Sequence, residues 1–145
     1  VWAWLAARGV LPPMLVTLQV ADRKNGTQRS TVLAVVEHDG NRYLVSMLGD
    51  TSEWVRNIRA AAGNAFIKRG RARPVMLTEV PLADRAPILK AWCQVATSGR
   101  RHLPTPYDAP VSAFEAIAKD YPVFRVDALP SDASANIGEP PVTLA

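Results

Sequence analysis

Two short stretches of the sequence gather side chains that bind anions. The first, DRKNGTQRST at residues 22–31, sets Arg23, Lys24 and Arg29 around Asn25 and Gly26, with Thr27, Ser30 and Thr31 as hydroxyl donors. Arginine offers a planar fork to phosphate or carboxylate, and lysine a point charge. Backbone N–H groups around a glycine such as Gly26 can add an anion-binding concavity. The second stretch, SMLGDTSEWVRNIRA at residues 46–60, leads from Ser46, Met47, Leu48 and Gly49 into a helix N-terminus, a natural seat for an anion or a polar ring. The helix then presents Trp54, Arg56, Asn57 and Arg59, with Arg56 and Arg59 sharing a face. Asp50 and Glu53 are spaced as a capping box and would oppose a phosphate placed too near.

No nucleophile motif accompanies these groups. The chain has no GxGxxG, GxxxxGK[ST], CxxC, HExxH or GxSxG pattern. Its two histidines, His38 beside a turn and His102 in a loop, and its one cysteine do not make a structural metal site. Cys93 falls in a helical pattern and reads as a buried, inert thiol. A single cysteine excludes an intrachain disulfide and points to a reducing, cytoplasmic compartment.

The net charge is +4, but it is unevenly spread. Residues 22–73 hold ten Lys/Arg against five Asp/Glu, while the rest of the chain holds seven against eight. The middle third therefore expects an anionic partner.

The elements that must position these residues follow from periodicity. Residues 14–21 and 30–37 read as strands flanking the basic loop, and 42–47 as a third strand returning from the Asp39–Gly40 turn. Trp54, Val55, Ile58, Ala61 and Ala62 have helical spacing, ended by Gly63. Residues 64–70 and 73–82 form a hairpin around the basic turn RGRAR. Helices follow over 84–97 and 111–120, separated by a loop, and 121–129 is the last strand. Six hairpin-linked strands without βαβ units predict an α+β, mainly β fold, a small closed or half-open antiparallel barrel.

The chain reads as one domain over residues 1–129, with a helix at 1–11 and an extended tail at 130–145. The Trp2, Trp4 and Leu5 edge of that first helix either packs on the domain or touches a membrane surface. No apolar run is long enough for a transmembrane helix.

The paired motifs V-x-D-R-K-N-G-x-x-R-S-T and W-x-x-N-I-R-A, with a DG hairpin and SMLG between them, resemble those of the deazaflavin (coenzyme F420)-dependent nitroreductase family of actinobacteria. That family has a split β-barrel of the flavin-reductase, FMN-binding type. Its loop reads roughly G-R-[KR]-[ST]-G-x-x-R, so Asp22 stands here for the first glycine and Asn25 for the hydroxyl residue. Its helix motif usually ends Asn-Pro, where this chain has Ala61–Ala62.

The resemblance implies a six-stranded split barrel and a reductase that passes a hydride from reduced coenzyme F420 to an activated alkene, quinone or nitro compound. The coenzyme carries a phosphate and an oligoglutamate tail, which would answer the basic loop. By motif match, Arg23, Lys24, Thr27 and Arg29 should hold the phosphate and the start of the tail. Ser46, Met47, Leu48 and Gly49 should line the ring or ribityl chain. Trp54 and Asn57 should lie against the coenzyme, with Arg56 toward its tail. Tyr107 is the expected proton donor, since a phenol on a late loop can reach over the ring. The competing readings are an FMN- or haem-binding barrel without this turnover and, less in keeping with the few aromatic residues, a nucleic-acid module. Either a monomer or a homodimer is compatible with the sequence.

Overall fold

The computed structural model describes residues 14–96 and 103–130. The expected N-terminal helix at 1–11, the loop residue His102, and the tail from 131 onward lie outside the described residues. The strands are β1 (Met14–Ala21), β2 (Gln28–His38), β3 (Asn41–Val45), β4 (Asn64–Arg69), β5 (Arg71–Glu79) and β6 (Val123–Ala128). The helices are α1 (Glu53–Ala60), α2 (Arg85–Val95) and α3 (Val111–Glu115). All strand pairs are antiparallel, and the order β1-β2-β3-β6-β5-β4 closes on itself as a barrel.

Strand alternation decides which side chains face the inside. Val16, Leu18 and Val20 of β1, Val35 of β2, Leu44 of β3, Ala65 of β4, Val75 and Leu77 of β5 and Phe124 of β6 form one buried core. Helix α1 stoppers one end of this barrel with Trp54, Val55 and Ile58. The ring of Trp54 lies 5.5 Å from that of Phe124 at 59°, a tilted contact. A second core lies outside the barrel. There Val36, Tyr43 and Val45 pack against Ile88, Leu89, Trp92 and Cys93 of α2 and Phe114 of α3. Cys93 is fully buried, as its helical pattern predicts.

The elements agree with the sequence pattern to within a few residues, with two differences. Asp50 does not cap α1. A turn of 3-10 helix at Gly49–Thr51 intervenes, Ser52 takes the cap position without a side-chain bond to the helix, and Asp50 pairs with Arg59 at 2.8 Å instead. The expected helix over 111–120 is broken into α3 and a 3-10 turn at Ala118–Asp120.

Gly63 ends α1 at φ +90°, donating its N–H to Ile58 at 3.0 Å and accepting from Leu77 at 2.8 Å. A Cβ there would collide with the Leu77 carbonyl oxygen. Glycine is required both by the backbone angle and by the close approach.

Candidate functional site

The basic loop between β1 and β2 is organised by Asp22. Its Oδ1 accepts the backbone N–H of Lys24 at 2.8 Å and of Asn25 at 3.3 Å, and its Oδ2 accepts Arg29 Nε at 3.0 Å. The Lys24 amide, foremost, and the Arg29 guanidinium hold the Asp22 carboxyl below its ordinary value. The loop closes on itself. Asp22 donates its N–H to Thr27 and accepts from Gly26, both at 2.8 Å, and Asn25 Oδ1 accepts from the Thr27 N–H at 2.9 Å.

This overturns one expectation. The N–H groups of residues 23–27 all have acceptors inside the protein, so the loop tip offers no free backbone concavity. Anion binding here must come from side chains.

Asn57 of α1 fastens the loop to the helix. Its Oδ1 accepts both the Arg23 backbone N–H at 3.0 Å and Arg23 Nη1 at 2.9 Å. Arg23 Nη1 also reaches Glu53 Oε1 at 2.9 Å, and this bond lowers the Glu53 carboxyl below its ordinary value. Asn57 is only 2% exposed. The sequence motif placed it against a ligand; the structure places it beneath the loop, where it orients Arg23. Sequence reasoning gave Asp22 and Glu53 no such part, and their signal was only a carboxylate spaced to meet each cation.

The cations divide by how fully they are engaged. Arg59 is committed to Asp50 and to Glu79, which also pairs with Arg85 at 3.2 Å, and these carboxylates raise its pKa. Arg23 is 21% exposed at its side chain and shares one nitrogen between two acceptors. Arg29 is 59% exposed, and its bond to Asp22 uses Nε. A guanidinium has five donors in a fork, so its outer edge remains for a ligand. Lys24 and Arg56 are exposed and have no ion pair among the described residues. Thr27 is exposed beside them. Against Asp22 and Glu53, the four cations Arg23, Lys24, Arg29 and Arg56 leave a surface excess of positive charge.

The segment before α1 is built differently from the expectation. Ser46 is fully buried, and its hydroxyl donates to the Gly49 carbonyl at 2.8 Å and meets the Ser52 hydroxyl at 2.9 Å. Its N–H donates to Pro122 at 2.9 Å. Ser46 thus shapes the turn from inside. Met47 packs on the outer core, Leu48 projects at 74% exposure, and Gly49 takes φ +80° with a Cβ position 3.0 Å from the Asp120 carbonyl. Trp54 is 8% exposed and belongs chiefly to the barrel core. Tyr107 is half exposed in the loop before α3, and Ala109, two residues on, packs in the same cluster as Met47. Loop 22–29 is thus tied to α1 through Arg23, Asn57 and Glu53, and the 46–49 turn leads directly into that helix.

This arrangement can receive a phosphate-bearing, polyanionic group. The outward donors of Arg29, Lys24 and Arg56 remain after the internal bonds are made, and they suit phosphate or carboxylate oxygens. Among the described residues no group of His, Cys, Asp and Glu could hold a metal ion, and no helix is long and apolar enough to cross a membrane.

The model of the F420H(2)-dependent quinone reductase family matches residues 8–111. No curated protein matches the chain significantly. Among solved structures, an F420-H2 dependent reductase is similar at 21% identity, over 78% of this chain and 93% of its own, with a TM-score of 0.53. A protein solved as a domain-swapped dimer is 18% identical over 86% of this chain and 98% of its own, with a TM-score of 0.55. An FAD-binding protein from Mesorhizobium loti is 16% identical over 80% and 81%, with a TM-score of 0.51. At these identities the likeness is one of fold, the split barrel.

Proposed function

The chain belongs to the F420H(2)-dependent quinone reductase family, and we propose that it reduces a quinone, activated alkene or nitro compound at the loop 22–29 and α1 surface. When bound, the reduced coenzyme supplies a hydride. The chain's own residues bind, orient and shield.

Lys24, Arg29 and Arg56 hold the phosphate and the first tail carboxylates with charge-assisted bonds. Arg23 contributes its remaining donors, kept in place by Asn57 and Glu53. The exposed Leu48 and the 46–49 turn offer an apolar shelf for a ring. Completing reduction of a quinone or nitro oxygen also takes a proton, and we assign that proton to Tyr107 Oη, half exposed in the loop before α3. Holding acceptor and donor at near-attack distance is then the protein's main contribution.

The observation that carries this reading is the pair of Asn57–Arg23 bonds, because they weld two distant sequence motifs into one basic surface. Fluorescence titration with coenzyme F420, run beside FMN, tests it. The expected result is micromolar or tighter binding of F420, preferred over FMN. Preference for FMN would move the assignment to a flavin protein. Bleaching of the reduced coenzyme by a quinone, an enone or a nitroaromatic then ranks the acceptors.

A further inference from the structure

Among the described residues the barrel end opposite α1 is open. There a half-enclosed cavity of about 200 Å³ is lined below by Val16, Val35, Ile67, Val75 and Val126, and above by Arg42, Arg69, Arg71 and Arg73. The cavity exceeds the roughly 150 Å³ apolar void that admits benzene.

The inward alternation of three strands changes character at this end. Strand β5 reads Leu77 and Val75 inside, then Arg73 and Arg71; β4 reads Ala65 and Ile67, then Arg69; β3 reads Leu44, then Arg42. Arginines thus occupy positions that a closed core would fill with aliphatic side chains.

The rim is also electrostatically unfavourable as it stands. Arg69 and Arg71 face each other directly across the β4–β5 hairpin, and like charges so placed are destabilising. None of the four arginines has an ion pair among the described residues. Glu37, opposite Arg42 in register, makes no ion pair with it. Four positive charges over a greasy floor are the complement of one kind of molecule.

We propose that this mouth binds an amphipathic organic anion, a carboxylate or phosphate head held by Arg42, Arg69, Arg71 and Arg73 over an apolar body of about six to eight carbons, by comparison with the benzene-sized cavity. The head takes the outward guanidinium donors and relieves their mutual repulsion. The body replaces water over the valine floor. This site is separate from the proposed coenzyme surface. Val16 at its floor and Ala21 at the basic loop are five residues apart on β1, roughly 17 Å of strand.

Calorimetric titration of the full chain with octanoate tests the proposal, with octanol and acetate as controls. Octanoate should bind, and each control should bind at least about tenfold more weakly, since each lacks the charge or the chain. The exposed double variant Arg71→Ala/Arg73→Ala should weaken octanoate by about tenfold or more while leaving coenzyme F420 titration unchanged. No octanoate binding, binding equal to octanol, or binding indifferent to the double variant would each overturn it. The F420 titration reads the other surface separately, so the two assignments can fail independently.

Discussion

A single side-chain oxygen, Asn57 Oδ1, receives both the main chain and the side chain of Arg23, at 3.0 and 2.9 Å. The loop that carries the positive charge is therefore fixed by a neutral residue buried beneath it, 34 positions away in sequence.

Replacing Asn57 by Ala should leave the Arg23 N–H without its acceptor and the guanidinium held by Glu53 alone. A buried donor left unpaired costs about 1–3 kcal/mol. Thermal denaturation should show that loss, and F420 titration should show weaker binding. If affinity stays constant while stability falls, the tie supports the fold alone.

Lys24→Glu should behave oppositely. Lys24 is exposed and forms no ion pair among the described residues, so its charge reversal should barely move the melting temperature. Coenzyme affinity should fall about tenfold or more, by loss of a charge-assisted contact and gain of repulsion. Added salt should narrow the difference between variant and parent.

Acid should loosen the loop through Asp22. Its carboxyl is held below the ordinary 3.8, first by the Lys24 amide and then by Arg29. A carboxylate with a depressed folded pKa contributes order that is full above its unfolded value and fades as pH falls through the folded one. Coenzyme affinity should thus be insensitive to Asp22 at pH 7 and decline below about pH 4. The Asp22 carboxyl resonance, followed by NMR against pH, gives the midpoint directly. Asp22→Asn should remove that titration while keeping the Lys24 N–H acceptor.

Gly63→Ala should be costly although it adds one methyl group. The residue has φ +90°, and the new Cβ would overlap the Leu77 carbonyl. Strain and displacement together should lower stability by about 2 kcal/mol or more. Chemical denaturation measures it. A change within a few tenths would mean that the α1–β4 corner can relax.

Much of the fold was legible because alternation is strong. Val16, Leu18 and Val20 announce the inner face of β1, and Asp39–Gly40 its neighbouring hairpin, where Asp39 indeed takes φ 50° and Gly40 φ 82°. The basic loop was legible as a cluster but not as a structure. Asp22 stands where the resembling family has glycine, and nothing local says that it would consume the amides of Lys24 and Asn25. Asp50 was read as a cap because spacing alone cannot see Arg59 turning back to it. The arginine rim stayed hidden for a different reason. RGRAR reads as a basic turn until barrel closure shows that its alternate members line the open mouth.

Closure also sets how the molecule can come apart. Each of the six described strands has two partners. The joints are unequal, however. Strands β1 and β2 match over eight residues, Met14–Ala21 against Gln28–Val35, whereas β1 and β4 match over three, Thr17–Gln19 against Phe66–Lys68. The barrel is in effect a belt with a short buckle. Whatever unrolls this fold, in denaturant or in trading strands between copies, has least backbone bonding to undo at that buckle.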